Sequence, residues 1–159
     1  MSKLIHYRPN VGIVVFNRKG LALGGERLDN LGSWQYPQGG IDEGEDPLLA
    51  MHRELYEETG IRTFEPVAES NEWLTYDFPE WLKIKGMTDR YRGQKQKWYL
   101  VFIDDESQID LHTHTPEFAR VEFIPMAEMT NQIIEFKKAI YRQLEELFLP
   151  EIERFLMRF

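Results

Sequence analysis

Between Asp46 and Gly60 the chain specifies one helix of fixed length. Asp46 offers a side-chain acceptor to the open N–H groups of a first turn, and Pro47 sits where a missing N–H costs nothing. Gly60 suits the left-handed residue that ends a helix, so a helix is expected from Pro47 to about Thr59. At about 100° per residue, Glu54, Glu57 and Glu58 share roughly a 100° arc of its surface. Leu48, Met51 and Leu55 form an apolar stripe about a quarter turn away. One edge of the helix is therefore expected to be buried, with the carboxylates lining a groove beside it. Like charges one turn apart cost about 0.2–0.5 kcal/mol per pair even when exposed. Arg53 can pair with Glu57, but one guanidinium does not balance three carboxylates, so the face calls for a further cation.

The rest of the sequence bounds the setting. A chain of 159 residues is read as one domain, 1–159, with a proper core. No run approaches the roughly 18 apolar residues of a membrane helix, so no membrane is expected. Met1-Ser2-Lys3-Leu4-Ile5-His6 has neither a signal-peptide core nor an Arg/Ser-rich leader. Zero cysteines exclude a disulfide framework, a zinc–cysteine site and a thiol nucleophile, which fits a cytoplasmic protein. The net charge of −8 argues against a general nucleic-acid coat. Yet the segment 79–97 has a local balance of +4, from Lys83, Lys85, Arg90, Arg92, Lys95 and Lys97 against Glu80 and Asp89. That pattern points to a local anion site.

Along the chain, Val11–Phe16 reads as a strand, Asn17–Gly20 as a hairpin turn and Leu21–Leu23 as the return. Arg27–Ser33 reads as loop, Trp34–Tyr36 as a short strand and Gln38–Gly44 as a Gly-rich loop. Further strands are expected near Glu72–Tyr76, Trp98–Ile103 and Val121–Ile124, with a polar loop over Asp104–Glu117. A last helix is expected from Met126 or Asn131 to Phe148, with Ile133, Ile140, Leu144 and Leu147 at helical spacing and Pro150 interrupting it. The tail 150–159 is apolar enough to pack somewhere, in cis or on a second subunit. The order is β-rich with embedded helices, which predicts an α+β fold.

Hard oxygen donors without Cys or a suitable His pair favour Mg2+ or Mn2+ over zinc. A carboxylate cluster holding such a metal is common equipment for attack on phosphorus, and a carboxylate outside the ligand set can take the proton of the attacking water. A Glu-rich helix face is by default a solvated surface. Here the Gly loop, the cap, the arginine and the closing glycine all stand at the offsets the chemistry needs. The spacing Gly39-x5-Glu45-x7-Arg53-Glu54-Leu55-x-Glu57-Glu58-x-Gly60-Ile61 resembles the Nudix box at every defined position.

That resemblance implies an α/β/α sandwich around a mixed sheet, with the box as loop-helix-loop, and hydrolysis of nucleoside polyphosphate linkages with a divalent metal. It implies Glu54, Glu57 and Glu58 as metal ligands and Glu117 as a further carboxylate from a distant loop, either ligand or base. Glu58 or Glu54 would lie closest to the attacking water. Glu45 and Arg53 would orient the helix, Gly39, Gly40 and Gly60 would shape the box, and a carbonyl of the Gln38–Gly39 turn would complete one coordination sphere. Outside the box, Tyr7–Val14, Trp34–Ile41, Trp73–Pro79, Gly93–Trp98, Pro116–Phe118 and Phe136–Lys138 resemble one subgroup. It holds the bacterial RNA 5′-pyrophosphohydrolases and the plant-type diadenosine tetraphosphate hydrolases.

On the substrate side, Arg8, Arg27, Lys95 and Lys97 are candidate phosphate contacts, Tyr76 and Phe136 candidate stacking groups, and Lys137 lies beside them. His112-Thr113-His114 sits in an expected loop and is not read as a metal pair; His52 is read as structural. Trp81 and Tyr91, interleaved with basic residues, could touch RNA or simply ride on a surface loop. The leading expectation is removal of pyrophosphate from the triphosphate or diphosphate end of RNA. The alternative is asymmetric cleavage of diadenosine tetraphosphate to ATP and AMP. A non-catalytic Nudix-fold binding module would be expected to have broken box glutamates, and none is broken; an ADP-ribose or nucleotide-sugar hydrolase lacks the matching signatures. An activating protein partner is open by the same resemblance, and oligomeric state is left open.

Overall fold

A computed structural model describes residues 4–159; the leader reading of the N-terminus rests partly on Met1–Lys3, which lie outside the described residues. Eight strands form one mixed sheet: β1 (Tyr7–Phe16), β2 (Ala22–Arg27), β3 (Trp34–Gln35), β4 (Gln38–Gly40), β5 (Glu65–Glu69), β6 (Leu74–Asp77), β7 (Gly93–Phe102) and β8 (Phe118–Ile124). Helix α1 spans Pro47–Thr59, α2 Met126–Gln132 and α3 Lys138–Leu156. The main strand order is β3-β2-β1-β7-β5, with β4 on β1, β6 on β7 and β8 on β2.

The middle of the sheet is the parallel pair β1–β7, in register from Tyr7↔Gly93 to Phe16↔Phe102. Residues Asn10–Phe16 of β1 are buried on both faces, which explains their near-continuous apolar run. On one face Val11, Ile13, Val15, Tyr99 and Val101 pack with Ala50, Met51 and Leu55 of α1. On the other, Val14, Phe16, Trp98, Leu100 and Phe102 pack with Met129 of α2 and Ile140, Leu144 and Phe148 of α3. The result is the α/β/α sandwich expected. Among the described residues, no helix is long and apolar enough to cross a membrane.

One departure from regularity makes room for the site. β1 and β2 share only the pair Phe16↔Ala22 at their hairpin. Beyond it they diverge, and β4 takes the place beside β1 through Asn10↔Gly40 and Gly12↔Gln38. The segment expected as a Gly-rich loop thus begins as a strand that docks in the sheet.

Several sequence expectations are corrected. β7 starts at Gly93 rather than near Trp98, because the polar run Gln94–Gln96 pairs with both β1 and β6. β5 was not foreseen: it is an edge strand with Pro66 and two glutamates, and an edge tolerates a residue without an N–H. β2 extends to Arg27, so Arg27 is a strand residue, not a loop residue. Leu48 is 45% exposed and Ala50 takes its expected place in the stripe; likewise Leu147 is exposed and Phe148 is buried.

The last helix is also not one piece. It breaks at Ile133–Ile134, both in extended conformation, and resumes after a single 3-10 turn at Glu135–Lys137. Nor does Pro150 end it: α3 runs through Pro150 to Leu156. A proline inside a helix costs about 3 kcal/mol. Pro150 lies on the solvent face, whereas Ile152 and Phe155 beyond it are buried, each contributing about 1.5–3 kcal/mol. Burial therefore outweighs the break, and this part of the tail packs in cis.

Candidate active site

Local chemistry sets α1 as the spacing predicted. The Asp46 side chain accepts from Leu48 N at 2.8 Å, and Gly60 takes the left-handed conformation at φ 79°. A side chain at Gly60 would press on the backbone of Asp110, whose N–H donates to the Thr59 carbonyl at 2.8 Å. Thr113 Oγ1 donates to the Tyr56 carbonyl at 2.7 Å. The polar loop after β7 is thus fastened to the C-terminal end of α1, and it leads directly to Glu117.

Arg53 organises the acidic face. Its Nε and Nη2 each reach Glu45 at 2.9 Å, Nη2 also reaches the Gly40 carbonyl at 2.9 Å, and Nη1 reaches Glu54 at 2.8 Å and Glu57 at 3.3 Å. Glu45 also accepts from Asp42 N, tying the glycine loop to the same hub. The Arg53 hydrogen bonds hold the Glu45 carboxyl down at about 2. Gly39 lies so close over Glu54 that a Cβ there would overlap its carboxylate.

Glu54 and Glu58 are buried, and Glu57 is partly so. Burial pushes Glu54 up to about 7, against the pull of Arg53. Glu58 is pushed well above the usual carboxylate range, by burial first and then by Glu117 and Glu54. One Glu58 oxygen accepts from Gln38 N at 3.0 Å, while Oε1 is buried without a hydrogen-bond partner. Among the described residues, no three Asp, Glu, His or Cys side chains are already gathered as a closed metal-ligand shell. Arg53 hydrogen-bonds Glu54 and Glu57, and Gln38 N–H hydrogen-bonds Glu58. The donor chemistry nonetheless fits a hard divalent cation. A buried carboxylate oxygen is left without a partner, neighbouring carboxylates repel each other's charge, and the glycine over Glu54 leaves it room. The Gly40 carbonyl is taken by Arg53.

The substrate-side residues separate into two groups. Arg27 and Glu117 line one cavity of about 380 Å³ with Gln35, Gln38, Pro116 and Phe118. Arg27 binds Asp29 through a pair of hydrogen bonds and also feels Glu117 and Glu58. Lys137 lies near enough to Arg27 that burial, reinforced by that charge, lowers its ammonium to about 8. Lys137 Nζ stands 5.7 Å from the Tyr76 ring, and the Phe136 ring is likewise 5.7 Å from Tyr76. Arg8 donates to Gln94, which in turn donates to the Tyr76 hydroxyl at 2.6 Å. Arg8, Arg27, Tyr76, Phe136 and Lys137 therefore form one neighbourhood.

Lys95 and Lys97 do not join it. They alternate with Gln94 and Gln96 on β7 and point to the opposite face, where they stand 5.0 and 5.7 Å from the Trp73 ring. Tyr76, expected as a stacking group, is 8% exposed and packed against Phe78 and Phe136, which leaves little of its ring open. His52 is exposed with its ring 4.9 Å from Phe64, and His112 and His114 are exposed on the loop.

Sequence reasoning missed the buried amide ladder behind the site. Gln96 Nε2 donates to Asn10 at 2.9 Å and to the Gln38 side chain at 3.0 Å, and Trp98 Nε1 donates to Gln96 at 3.2 Å. This ladder fixes Gln38, whose N–H holds Glu58. The only signal in the sequence was the alternation of Gln with Lys in a segment otherwise read as basic.

Comparison with known proteins extends these observations. The NUDIX domain family matches residues 6–147. An RNA pyrophosphohydrolase of Rhizobium meliloti is 47% identical over 155 residues, covering 89% of this chain and 93% of that protein. An RNA pyrophosphohydrolase of Helicobacter pylori is 42% identical over 149 residues, covering 91% and 95%. Among solved structures, a C. elegans Ap4A hydrolase binary complex aligns with TM-score 0.64 at 17% identity, over 90% of this chain and 98% of that one. The E. coli dihydroneopterin triphosphate pyrophosphohydrolase aligns with TM-score 0.65 at 19% identity, over 98% and 100%. At those identities the two structures speak to the fold alone.

Proposed function

The chain belongs to the Nudix family, and from that membership we propose that it is an RNA pyrophosphohydrolase, converting the 5′-triphosphate end of RNA to a monophosphate. The observation that carries this reading is the unbroken acidic hub on α1 set beside Arg27 and Lys137, in a chain 42–47% identical to proteins of that name. In the net reaction water enters, one phosphoric anhydride bond breaks, and pyrophosphate leaves.

Glu54, Glu57, Glu58 and Glu117 would hold the divalent cation, Mg2+ or Mn2+, on which the family depends. Such a cation supplies charge neutralisation and Lewis acidity at the phosphate chain. Arg53 and Glu45 keep the carboxylates in place, and Gln38 N–H fixes one oxygen of Glu58. Of Glu54 and Glu58, the one left outside the ligand set would take the proton of the attacking water. Arg27, Arg8 and Lys137 meet the phosphates, Arg with a planar fork and Lys with a point charge. Phe136 meets a base.

The test is kcat/KM measured side by side on a triphosphorylated RNA oligomer and on diadenosine tetraphosphate. RNA is expected to be the better substrate; inert RNA beside a rapidly cleaved dinucleotide would replace this reading with the dinucleotide hydrolase. Glu57→Gln is expected to lower kcat on the order of a thousandfold, about 4 kcal/mol of lost stabilisation. Unchanged hydrolysis in that variant would mean the acidic hub is not the catalytic centre.

A further inference from the structure

The loop 78–92 joins β6 to β7 and is closed at its neck by Phe78 N donating to the Arg92 carbonyl at 2.8 Å. It is internally ordered: Thr88 N and Oγ1 both donate to the Ile84 carbonyl, and Tyr91 N donates to Met87 at 2.8 Å. On this ordered loop Trp81 is 65% exposed. Its ring meets Phe136 edge-on, with centroids 5.9 Å apart and planes at 72°. Phe136 leans on Tyr76, and Lys137 Nζ stands 5.7 Å from the same ring and feels the charge of Arg27. From the acidic hub outward the order is thus Glu58 and Glu117, Arg27, Lys137 and Phe136, then Trp81.

An indole left largely in water on an ordered loop gains little for folding, and its other neighbours fit a purpose. Lys83 and Lys85 are exposed on the same loop, with no carboxylate partner among the described residues. Arg92 is engaged by Asp77 at 2.7 Å. Glu80 and Asp89 share the loop, so its net charge is small and charge alone would not bind a polyanion tightly. A base-stacking surface flanked by two lysines suits a single strand, whose bases offer π-faces and whose backbone offers phosphates.

We propose that Trp81 is the outer stacking platform for the RNA strand, receiving a base beyond those nearest the 5′ phosphates, with Lys83 and Lys85 alongside the following phosphates. The inference rests on the RNA reading above and adds a specificity element: it makes the enzyme sensitive to what lies downstream of the end it trims. A dinucleoside polyphosphate has no such downstream strand and would not engage the loop.

The experiment compares triphosphorylated single-stranded RNAs of increasing length, from a dinucleotide upward, on the wild-type chain, Trp81→Ala, Trp81→Phe and Lys83→Gln/Lys85→Gln. Wild type is expected to gain about tenfold in kcat/KM once the strand reaches Trp81, the worth of one base–aromatic stack. Trp81→Ala should lose that gain while turning over the dinucleotide at the wild-type rate, and Trp81→Phe should keep most of it. The double lysine variant should flatten the slope of log kcat/KM against log salt by about 1.4 on the long strand only, at about 0.7 per phosphate contact. A length gain that survives in Trp81→Ala overturns the platform; an unchanged salt slope overturns the lysine contacts. RNA of every length inert beside active diadenosine tetraphosphate brings down the RNA reading itself, a result distinguishable from either.

Discussion

The acidic helix and the basic loop carry opposite charge and are built in opposite ways. On α1 the charges are gathered inward: Glu54 and Glu58 are buried, and Arg53 binds Glu45, Glu54, Glu57 and a carbonyl at once. On loop 78–92 Lys83 and Lys85 are exposed, with no carboxylate partner among the described residues, while Arg92 at the neck pairs with Asp77. Burying like charges costs stability, which the Arg53 network offsets in part. Exposed lysines cost almost nothing, and what they give is attraction that salt can screen. The two regions thus differ in how their charges are held: by a buried network on α1, and by exposed side chains on loop 78–92.

The sharpest way to break that contrast is to loosen the buried network. Arg53→Ala is expected to lower kcat about a hundredfold, with KM changed by only a few fold, because it frees Glu45 and Glu54 without touching the phosphate contacts. Arg53→Lys should recover little, since an ammonium cannot span Glu45, Glu54 and the Gly40 carbonyl together. Steady-state kinetics decide: a risen KM with kcat preserved would make Arg53 a substrate contact instead of a hub.

The next effect is thermodynamic. Burial lifts Glu54 from 4.5 in the unfolded chain to about 7 when folded. The folded state therefore binds more protons over that interval, and stability falls as pH rises from about 4.5 to about 7. Glu58 acts in the same direction. Glu45 has the opposite sign: held at about 2, it contributes stability above 4.5 that is lost only on strong acidification. In chelator, Tm is expected to decline across that interval, and millimolar Mg2+ to flatten the decline by binding the ionised form. Thermal melts with and without Mg2+ measure it, and a Tm that climbs with pH in chelator would contradict the buried-carboxylate picture.

The smallest effect belongs to residues that share the basic segment but not its place. Lys95→Gln/Lys97→Gln should change kcat/KM on triphosphorylated RNA by less than about twofold at moderate salt, as expected for charges on the far face of β7. A tenfold loss in the same assay would return them to the phosphate path.

How much of this could be read from the residues depends on how local the encoding is. α1 was legible to the residue because its cap, its proline, its glycine and its arginine all act within a turn or two of where they stand. Glu117 was reachable only through resemblance, since a loop fastened by Thr113 and Asp110 brings it in. The division of Gln94 and Gln96 from Lys95 and Lys97 needed two facts of pairing: that β7 begins at Gly93, and that Arg8 lies opposite Gln94 in a parallel register. Neither is local. Phe136 and Lys137 owe their place to the break at Ile133–Ile134, where adjacent β-branched residues take extended conformations that helical periodicity conceals.

The continuation of α3 through Pro150 has a consequence for how the protein is made. Phe155 sits 5.4 Å from Phe16 and 4.7 Å from Phe102, two rings at the ends of the central parallel strands. During synthesis both strands are complete once Phe102 has emerged, and the ring that covers them emerges more than fifty residues later. Until then the nascent sheet carries an uncovered apolar end, a surface that a chaperone can hold and that a prematurely terminated chain never hides. The core is therefore complete only once the residues beyond Pro150 are in place.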